Sequence, residues 1–341
     1  MRNNRMYIYP LSARFEEKLN NPYIKDVISS IENYFFCVNK QSPSAVGFFN
    51  VVRYFFRTRY YHLNWIEDLP DKKGGLLQSL FLLLIIQIMR VTGKKIIWTA
   101  HNKISHYQKN LWIKKMLMSV LARKSHYIIT HSHEGVEYVK RLNKNKNTVK
   151  VIYIPHPVKN KIHTNSVELT NDIIIWGNIA HYKGIHLFLQ HLIENGLQKK
   201  YKIIIAGRFT EPAYEEVLKK YLSGNITLIN RFIQKKELEK LIKTSRIVLF
   251  TYQQEYVLSS GALMDSLGYG KNVIGPDIGA FKDLQEEGLV TTYADLNDLI
   301  EKIDKCLGSS GKTSREKLKN FIDKNSWENY GLQLYNWLNQ R

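Results

Sequence analysis

The stretch DIIIWGNIAHYKGIHLFLQHL, residues 172–192, decides the fold class. Its run Ile173–Trp176 is short, rich in isoleucine and free of polar alternation, which suits a strand buried on both faces. Gly177 breaks the run, and apolar residues then recur at helical spacing over His186–Asn195. Strand, glycine turn and helix in that order make the repeating unit of a parallel sheet. Toward the C-terminus the unit recurs, with strands expected at Lys202–Ala206, Ile226–Leu228, Ile247–Phe250, Asn272–Gly275 and Val290–Thr292. Helical patterns fall between them at Glu211–Tyr221, Lys235–Lys243, Ser260–Tyr269 and Ala280–Glu287, and Leu296–Cys306 follows the last.

Toward the N-terminus the same alternation holds. Strands are expected at Arg5–Tyr9, Phe35–Val38, Tyr60–Trp65, Lys95–Thr99, Tyr127–Thr130 and Val149–Ile154, and helices at Pro22–Asn33, Gly75–Val91, Lys109–Arg123 and Ser132–Leu142. Between the halves lies Pro155–Thr170 (PHPVKNKIHTNSVELT), polar, with two prolines and no periodicity, which reads as a linker. The pattern predicts an α/β protein of two doubly wound domains, residues 1–160 and 161–324.

Composition agrees with that organisation. A chain of 341 residues with 44% apolar and 23% charged residues can bury the cores of two domains. Cys37 and Cys306 are the only cysteines and lack CxxC spacing, so neither a disulfide framework nor a zinc site is expected, and a reducing compartment fits. Met1–Phe15 has no apolar signal core, which predicts retention inside the cell. The apolar run Leu80–Met89 is about half the roughly 20 residues that a helix needs to cross a bilayer, and it reads as a buried helix. Charge is uneven: residues 1–150 hold 25 Lys/Arg against 9 Asp/Glu, a net +16, whereas residues 151–341 hold 25 against 21, a net +4. A basic N-terminal half implies a polyanionic partner, a membrane surface or a nucleic acid.

In open α/β sheets ligands gather beyond the carboxyl ends of the strands, where helix N-termini face anions. Two turns of the second half have the residues for this. In the first, Gly177 allows close approach to a ligand and Lys183 can neutralise a phosphate, although a glycine turn with a solvated lysine fits the same residues. In the second, YQQEYVLSSGALMDSLGYGKNVIG from Tyr252, small residues Ser260, Gly261 and Ala262 open a helix with free N–H groups, although Ser260 also fits a plain N-cap.

Together these turns, about 80 residues apart, resemble the donor half of GT-B glycosyltransferases, in particular the large group with Gly-Arg…Lys-Gly and Glu-x7-Glu signatures. The resemblance implies two Rossmann-like domains facing a cleft: an acceptor domain at 1–160, with a closing helix at about 325–341 (SWENYGLQLYNWL) packed back on it, and a nucleotide-sugar domain at 161–324. It implies phosphate contacts from Gly177, Asn178, Lys183 and Arg208, the last in the strand-to-turn sequence IIIAGR. It also implies donor contacts from Tyr252, Ser260, Gly261 and Ala262, and a ribose contact from Asp265. Two positions depart from the signature. Asn178 stands where the group has arginine, and Val257 stands at the first glutamate, leaving Glu255 or a backbone N–H to serve the donor sugar.

For the chemistry, sugar transfer needs a group that orients or deprotonates the acceptor hydroxyl. His101, directly after KIIWTA, matches the cleft histidine of the resembled group; Glu67 and His106 are weaker candidates that a structural or solvated role fits better, and Asp68 lies beside Glu67. No DxD-like motif is present, so neither a metal nor a cofactor is expected beyond the donor, a UDP-sugar. The partners expected are a glycan or lipid-linked acceptor, in cell-surface polysaccharide synthesis, and an anionic membrane. The aromatic and basic stretch Arg53–His62 and the helix Asn110–His126, with Lys114, Lys115, Arg123 and Lys124, suggest peripheral attachment on the cytoplasmic face, with part of their apolar residues in the core and basic residues offered on another stripe. Other readings are a GT-B-fold sugar-nucleotide epimerase and a basic nucleic-acid-binding protein. The latter lacks a reader motif, and an NAD-dependent enzyme is disfavoured because no GxGxxG turn is present.

Overall fold

The apolar runs pair as two all-parallel sheets of six strands each. The computed structural model describes residues 4–11, 22–40, 47–103, 109–144, 149–162, 167–253, 257–308 and 315–340. The chain divides into two compact units, Met1–Pro157 with Asn325–Arg341, and Val158–Lys324.

The first unit holds β1 (Arg5–Tyr9), β2 (Phe36–Cys37), β3 (Tyr60–Asn64), β4 (Lys95–Ala100), β5 (Tyr127–Thr130) and β6 (Lys150–Tyr153). Their order across the sheet is β2-β1-β3-β4-β5-β6, so the strand order reverses between β1 and β3. Helices α1 (Tyr23–Ile31), α2 (Gly75–Val91), α3 (Leu111–Lys124) and α4 (His133–Leu142) make the crossovers. The final helix of the chain, α12 (Trp327–Asn339), also belongs here and packs on α1.

The second unit holds β7 (Asn171–Trp176), β8 (Ile203–Gly207), β9 (Ile226–Asn230), β10 (Ser245–Leu249), β11 (Asn272–Pro276) and β12 (Thr291–Tyr293). The order β9-β8-β7-β10-β11-β12 is the 3-2-1-4-5-6 arrangement of a Rossmann fold. Its helices are α5 (Ile185–Glu194), α6 (Pro212–Lys219), α7 (Lys235–Lys243), α8 (Gly261–Gly268), α9 (Gly279–Glu286), α10 (Leu296–Gly308) and α11 (Arg315–Lys324). Crossover connections place the loops after β7 and β10 side by side at the reversal point, where ligands of such sheets bind.

Four local readings differ from the sequence-based expectation. Helix α11 was not expected, because REKLKNFIDK is mostly polar; it forms by burying Leu318, Phe321 and Ile322 in the second core. The stretch Arg53–His62 gives Tyr54, Phe55, Tyr60, Tyr61 and His62 to the interior, leaving its arginines outside. Lys114 is buried and ion-paired with Asp71, so it is no surface cation. Helix α2 is apolar on all sides, yet only one of its faces enters the core.

The seam between α1 and α12 depends on Gly331. A β-carbon there would lie 1.8 Å from the Ser30 carbonyl oxygen, inside any permitted contact. Tyr330, Leu334, Trp337 and Leu338 complete the packing. Gly331→Ala forces the helices apart and is expected to destabilise the first unit by about 1–3 kcal/mol, the usual cost of overpacking. Urea unfolding measures this, and an unchanged midpoint would show that the seam gives way freely.

Candidate functional site

At the reversal point of the second sheet, β7 ends at Trp176 and Gly177 turns the chain with φ 93°, a conformation that favours glycine. A short helical turn, His181–Lys183, follows and brings the Lys183 side chain back into the protein. The Lys183 ammonium donates to the Trp176 carbonyl at 3.0 Å and lies 5.6 Å from the centre of the Tyr252 ring. The residue is only 5% exposed. Burial alone lowers its pKa to about 7, since no carboxylate pairs with it among the described residues.

The loop after β10 is stitched to this turn. Thr251 Oγ1 donates to the Lys183 carbonyl at 2.6 Å, and Gln253 N–H donates to the Tyr182 carbonyl at 3.0 Å. Gly184 adopts φ 63°, and a β-carbon there would meet the Thr251 carbonyl oxygen at 2.7 Å. Tyr252 and Ser260 hydroxyls lie 3.2 Å apart, and Ser260 Oγ caps α8 by accepting from Leu263 N–H. The first-turn N–H groups of Gly261 and Ala262 have no intrahelical acceptor. Ser259 Oγ is buried without a hydrogen-bond partner. Gly177, Lys183, Tyr252 and Ser260 therefore occupy one locality.

Arg208 and Asn178 are exposed at its edge, and the Ile179 N–H donates to the Arg208 carbonyl at 2.8 Å. Close approach of β7 and β8 requires Gly207, where a β-carbon would stand 1.9 Å from the Gly177 carbonyl oxygen. Asp265 is half-exposed and ion-paired at 2.8 Å with Lys161, whose ammonium also sits 4.6 Å from the centre of the Tyr269 ring. Sequence reasoning missed Lys161, because a polar, aperiodic segment gives no sign of which residue folds back onto α8. Val257 is buried; Glu255 and His106 lie outside the described residues.

In the first unit, Glu67 follows β3 at the reversal point of its own sheet. It is buried, one carboxylate oxygen accepts from Asn102 Nδ2 at 3.1 Å, and the other has no partner. Burial first, then the neighbouring Asp68 charge, raises its pKa well above the usual carboxylate range, which favours the neutral acid. His101 follows β4. Its ring stacks on Trp65 at 4.5 Å and 16°, a contact made possible by the left-handed backbone of Trp65 at φ 48°. Among the described residues no three His, Cys, Asp or Glu side chains converge to hold a metal.

Residues 158–325 match the family model described as "Glycosyl transferases group 1". The second unit is a group 1 glycosyltransferase domain. The whole chain is similar in structure to the Anabaena protein HepE in complex with UDP-glucose, with a TM-score of 0.68 and 12% identity over 98% of each chain. It is also similar to a glycosyltransferase from Rickettsia africae, with a TM-score of 0.65 and 12% identity over 99% of each chain. Sucrose-phosphate synthase from Thermosynechococcus elongatus gives a TM-score of 0.65 and 14% identity over 85% of this chain and 76% of that one. At such identities the likeness shows the fold, GT-B. No curated protein matches the chain in sequence. The family match of the second unit and the fold together support a glycosyltransferase enzyme.

Burial keeps the histidines around the first unit's site neutral, and hydrogen bonding fixes the tautomers of His101 and His131. Asn64 Nδ2 donates to the Tyr9 carbonyl at 3.1 Å, so Asn64 Oδ1 faces His101 Nε2, 3.1 Å away, as an acceptor. His101 therefore carries its proton on Nε2 and keeps a lone pair on Nδ1. His131 donates from Nδ1 to the Ile154 carbonyl at 2.8 Å and accepts from Tyr23 OH on Nε2 at 2.9 Å. Burial lowers His62 to about 4 and His131 to about 3, and it pushes His101 down too, ahead of its histidine neighbours.

These shifts make the first unit acid-sensitive. An unfolded ring binds a proton near pH 6.5 whereas the native rings stay neutral, so the unfolded state holds more protons below that pH. The histidine contribution is full above pH 6.5 and falls as pH drops toward 4, by roughly 1.4 kcal/mol per pH unit for each such ring, while the raised pKa of Glu67 offsets about one ring over the same range. The melting temperature is expected to decline steadily from pH 7 to pH 5. A flat profile over that range would show that the rings are solvated.

Proposed function

We propose that the chain transfers a sugar from a nucleoside diphosphate donor, a UDP-sugar, to the hydroxyl of a glycan or lipid-linked acceptor in cell-surface polysaccharide synthesis. The donor binds the second unit and the acceptor the first. One observation carries the donor assignment: a buried lysine with no acidic partner among the described residues, beside a glycine turn and a helix start. Such a cation is costly unless an anion joins it. A diphosphate meets Lys183, the first-turn N–H groups of Gly261 and Ala262, and the Ser259 hydroxyl, which has no partner among the described residues, and it offers all of them oxygen acceptors. HepE, with the same fold, binds UDP and UDP-glucose, which supports uridine as the nucleoside.

Asp265 then serves the ribose through its half-exposed carboxylate, held in place by Lys161. In the first unit the His101 Nδ1 lone pair is the acceptor for a sugar hydroxyl proton, and Asn64 holds the ring in the tautomer that exposes it. Glu67, in its neutral acid form, offers an O–H donor instead of a charge. As the diphosphate leaves, charge grows on its bridging oxygen, and Lys183 and the start of α8 stabilise it without a metal.

Two measurements test the assignment. Lys183→Ala is expected to weaken UDP binding by about 1.5–3 kcal/mol, the value of a hydrogen bond to a charged group. Wild-type affinity should also fall between pH 7 and pH 9, because free Lys183 loses its proton near pH 7 and only the ammonium form binds the anion. Calorimetry that finds equal affinity in the variant, or no pH dependence, removes Lys183 from the site.

Replacing His101 separates binding from turnover. His101→Ala should lower kcat by roughly 10²–10⁴-fold, the usual contribution of a positioned acid–base group, with UDP affinity nearly unchanged. Activity within a few fold of wild type would leave His101 a structural residue.

A further inference from the structure

Helix α2 has a face that nothing among the described residues covers. Leu76, Leu77, Leu80, Leu84, Ile88 and Val91 are between 40% and 89% exposed, and Gln87 is the one polar residue among them. At 100° per residue these positions fall on one stripe, opposite the buried Leu82, Ile85, Ile86 and Met89. A 17-residue helix is about 25 Å long, so the stripe is a long aliphatic ridge. Monomeric proteins seldom leave so large an apolar patch to water.

Helix α3 lies alongside and supplies what the ridge lacks. Its N-terminal end is fixed near the start of α2 by the Lys114–Asp71 ion pair, and its C-terminal end by a hydrogen bond from Arg90 to the Lys124 carbonyl. The outward residues of α3 are Trp112, 65% exposed, with Lys115, Arg123 and Lys124. Lys73 precedes the ridge and is exposed as well. An aliphatic ridge flanked by an indole and cations, in the half of the chain that carries +16, complements one surface best: an anionic bilayer, with acyl chains for the leucines and headgroups for the basic residues.

We propose that α2 lies in the membrane interface with its leucine ridge among the acyl chains, while α3 contributes Trp112 and its cations at headgroup level. The proposal is independent of the donor site and modifies the sequence-based expectation in two respects. The inserted element is α2, not α3, and Lys114 takes no part, since its charge is committed to Asp71.

The test is flotation with phosphatidylglycerol-containing vesicles and with phosphatidylcholine alone, at low and high salt. Wild type is expected to float with the anionic vesicles and to keep part of its binding at high salt, where purely electrostatic attachment is lost. Leu77→Gln/Leu80→Gln/Leu84→Gln should bind about tenfold or more weakly at either salt, as loss of buried apolar area requires. Lys115→Gln/Arg123→Gln/Lys124→Gln should lose mainly the salt-sensitive part. Unaltered UDP affinity and circular dichroism show that either variant is folded. Should the leucine variant fail to fold, brominated lipid decides: it quenches wild type more than Trp112→Phe if this face meets the membrane. The proposal is overturned if wild type ignores anionic vesicles, if the folded leucine variant floats like wild type, or if quenching is the same with and without Trp112. It is also overturned if the ridge holds two copies together in solution and vesicles do not separate them.

Discussion

An ammonium group taken out of water and met, among the described residues, by a carbonyl and an aromatic ring is unfavourable by several kcal/mol, and the second unit is arranged to impose that on Lys183. Gly177 is required because a β-carbon would crowd the Lys183 Nζ at 3.3 Å and because the backbone is left-handed there. Gly184 is required by the Thr251 carbonyl, and Thr251 returns a hydrogen bond to the Lys183 carbonyl. Gly207 lets β8 end against Gly177. Each glycine is tied to a contact that fixes the turn, so removing the charge while keeping the turn should leave the fold intact. The strain in this locality is electrostatic, and an anionic ligand relieves it.

The first unit uses burial in the opposite sense. Burial keeps His62, His101 and His131 neutral and pushes Glu67 toward its neutral acid form, so the site offers hydrogen-bond donors and a lone pair in place of net charge. That suits a sugar, whose hydroxyls are neutral, as the cation suits a diphosphate. The difference arises from placement. Lys183 has a long stem that carries its charge inward among apolar side chains, whereas His101 is held at its strand end by Asn64 and Trp65.

Much of this was legible in the sequence. Strands such as Ile203–Gly207 are buried on both faces, so a continuous apolar run identified them; Gly177 after β7 marked one loop of the proposed donor site, and the small residues Ser260, Gly261 and Ala262 marked the other. The strand order was not legible, because periodicity says which segments are strands and nothing about their neighbours. Nor was the Lys161–Asp265 pair, a contact across 104 residues. Lys114 is a more instructive miss. Met118 and Ala122 follow it at intervals of four and are buried, so helical spacing already placed it on the inner stripe, but its charge was read as solvent-facing. Helix α2 misled in the other direction: apolar residues on every side imply a buried helix only if something covers both faces.

That exposed ridge bears on why the basic charge is so uneven. Cations alone bind an anionic leaflet in proportion to the local surface potential, and salt weakens the attraction within a Debye length. Aliphatic insertion is insensitive to salt but indifferent to lipid charge. A surface that combines Leu80 and Leu84 with Lys115 and Arg123 needs both conditions at once, an anionic headgroup layer and accessible acyl chains. The Lys114–Asp71 pair and the Arg90 bond to Lys124 hold the two helices in register, so the ridge and the cations reach the interface as one rigid element. On the proposed orientation, selectivity for an anionic membrane would follow from the packing of α2 against α3, with the donor chemistry left to the second unit.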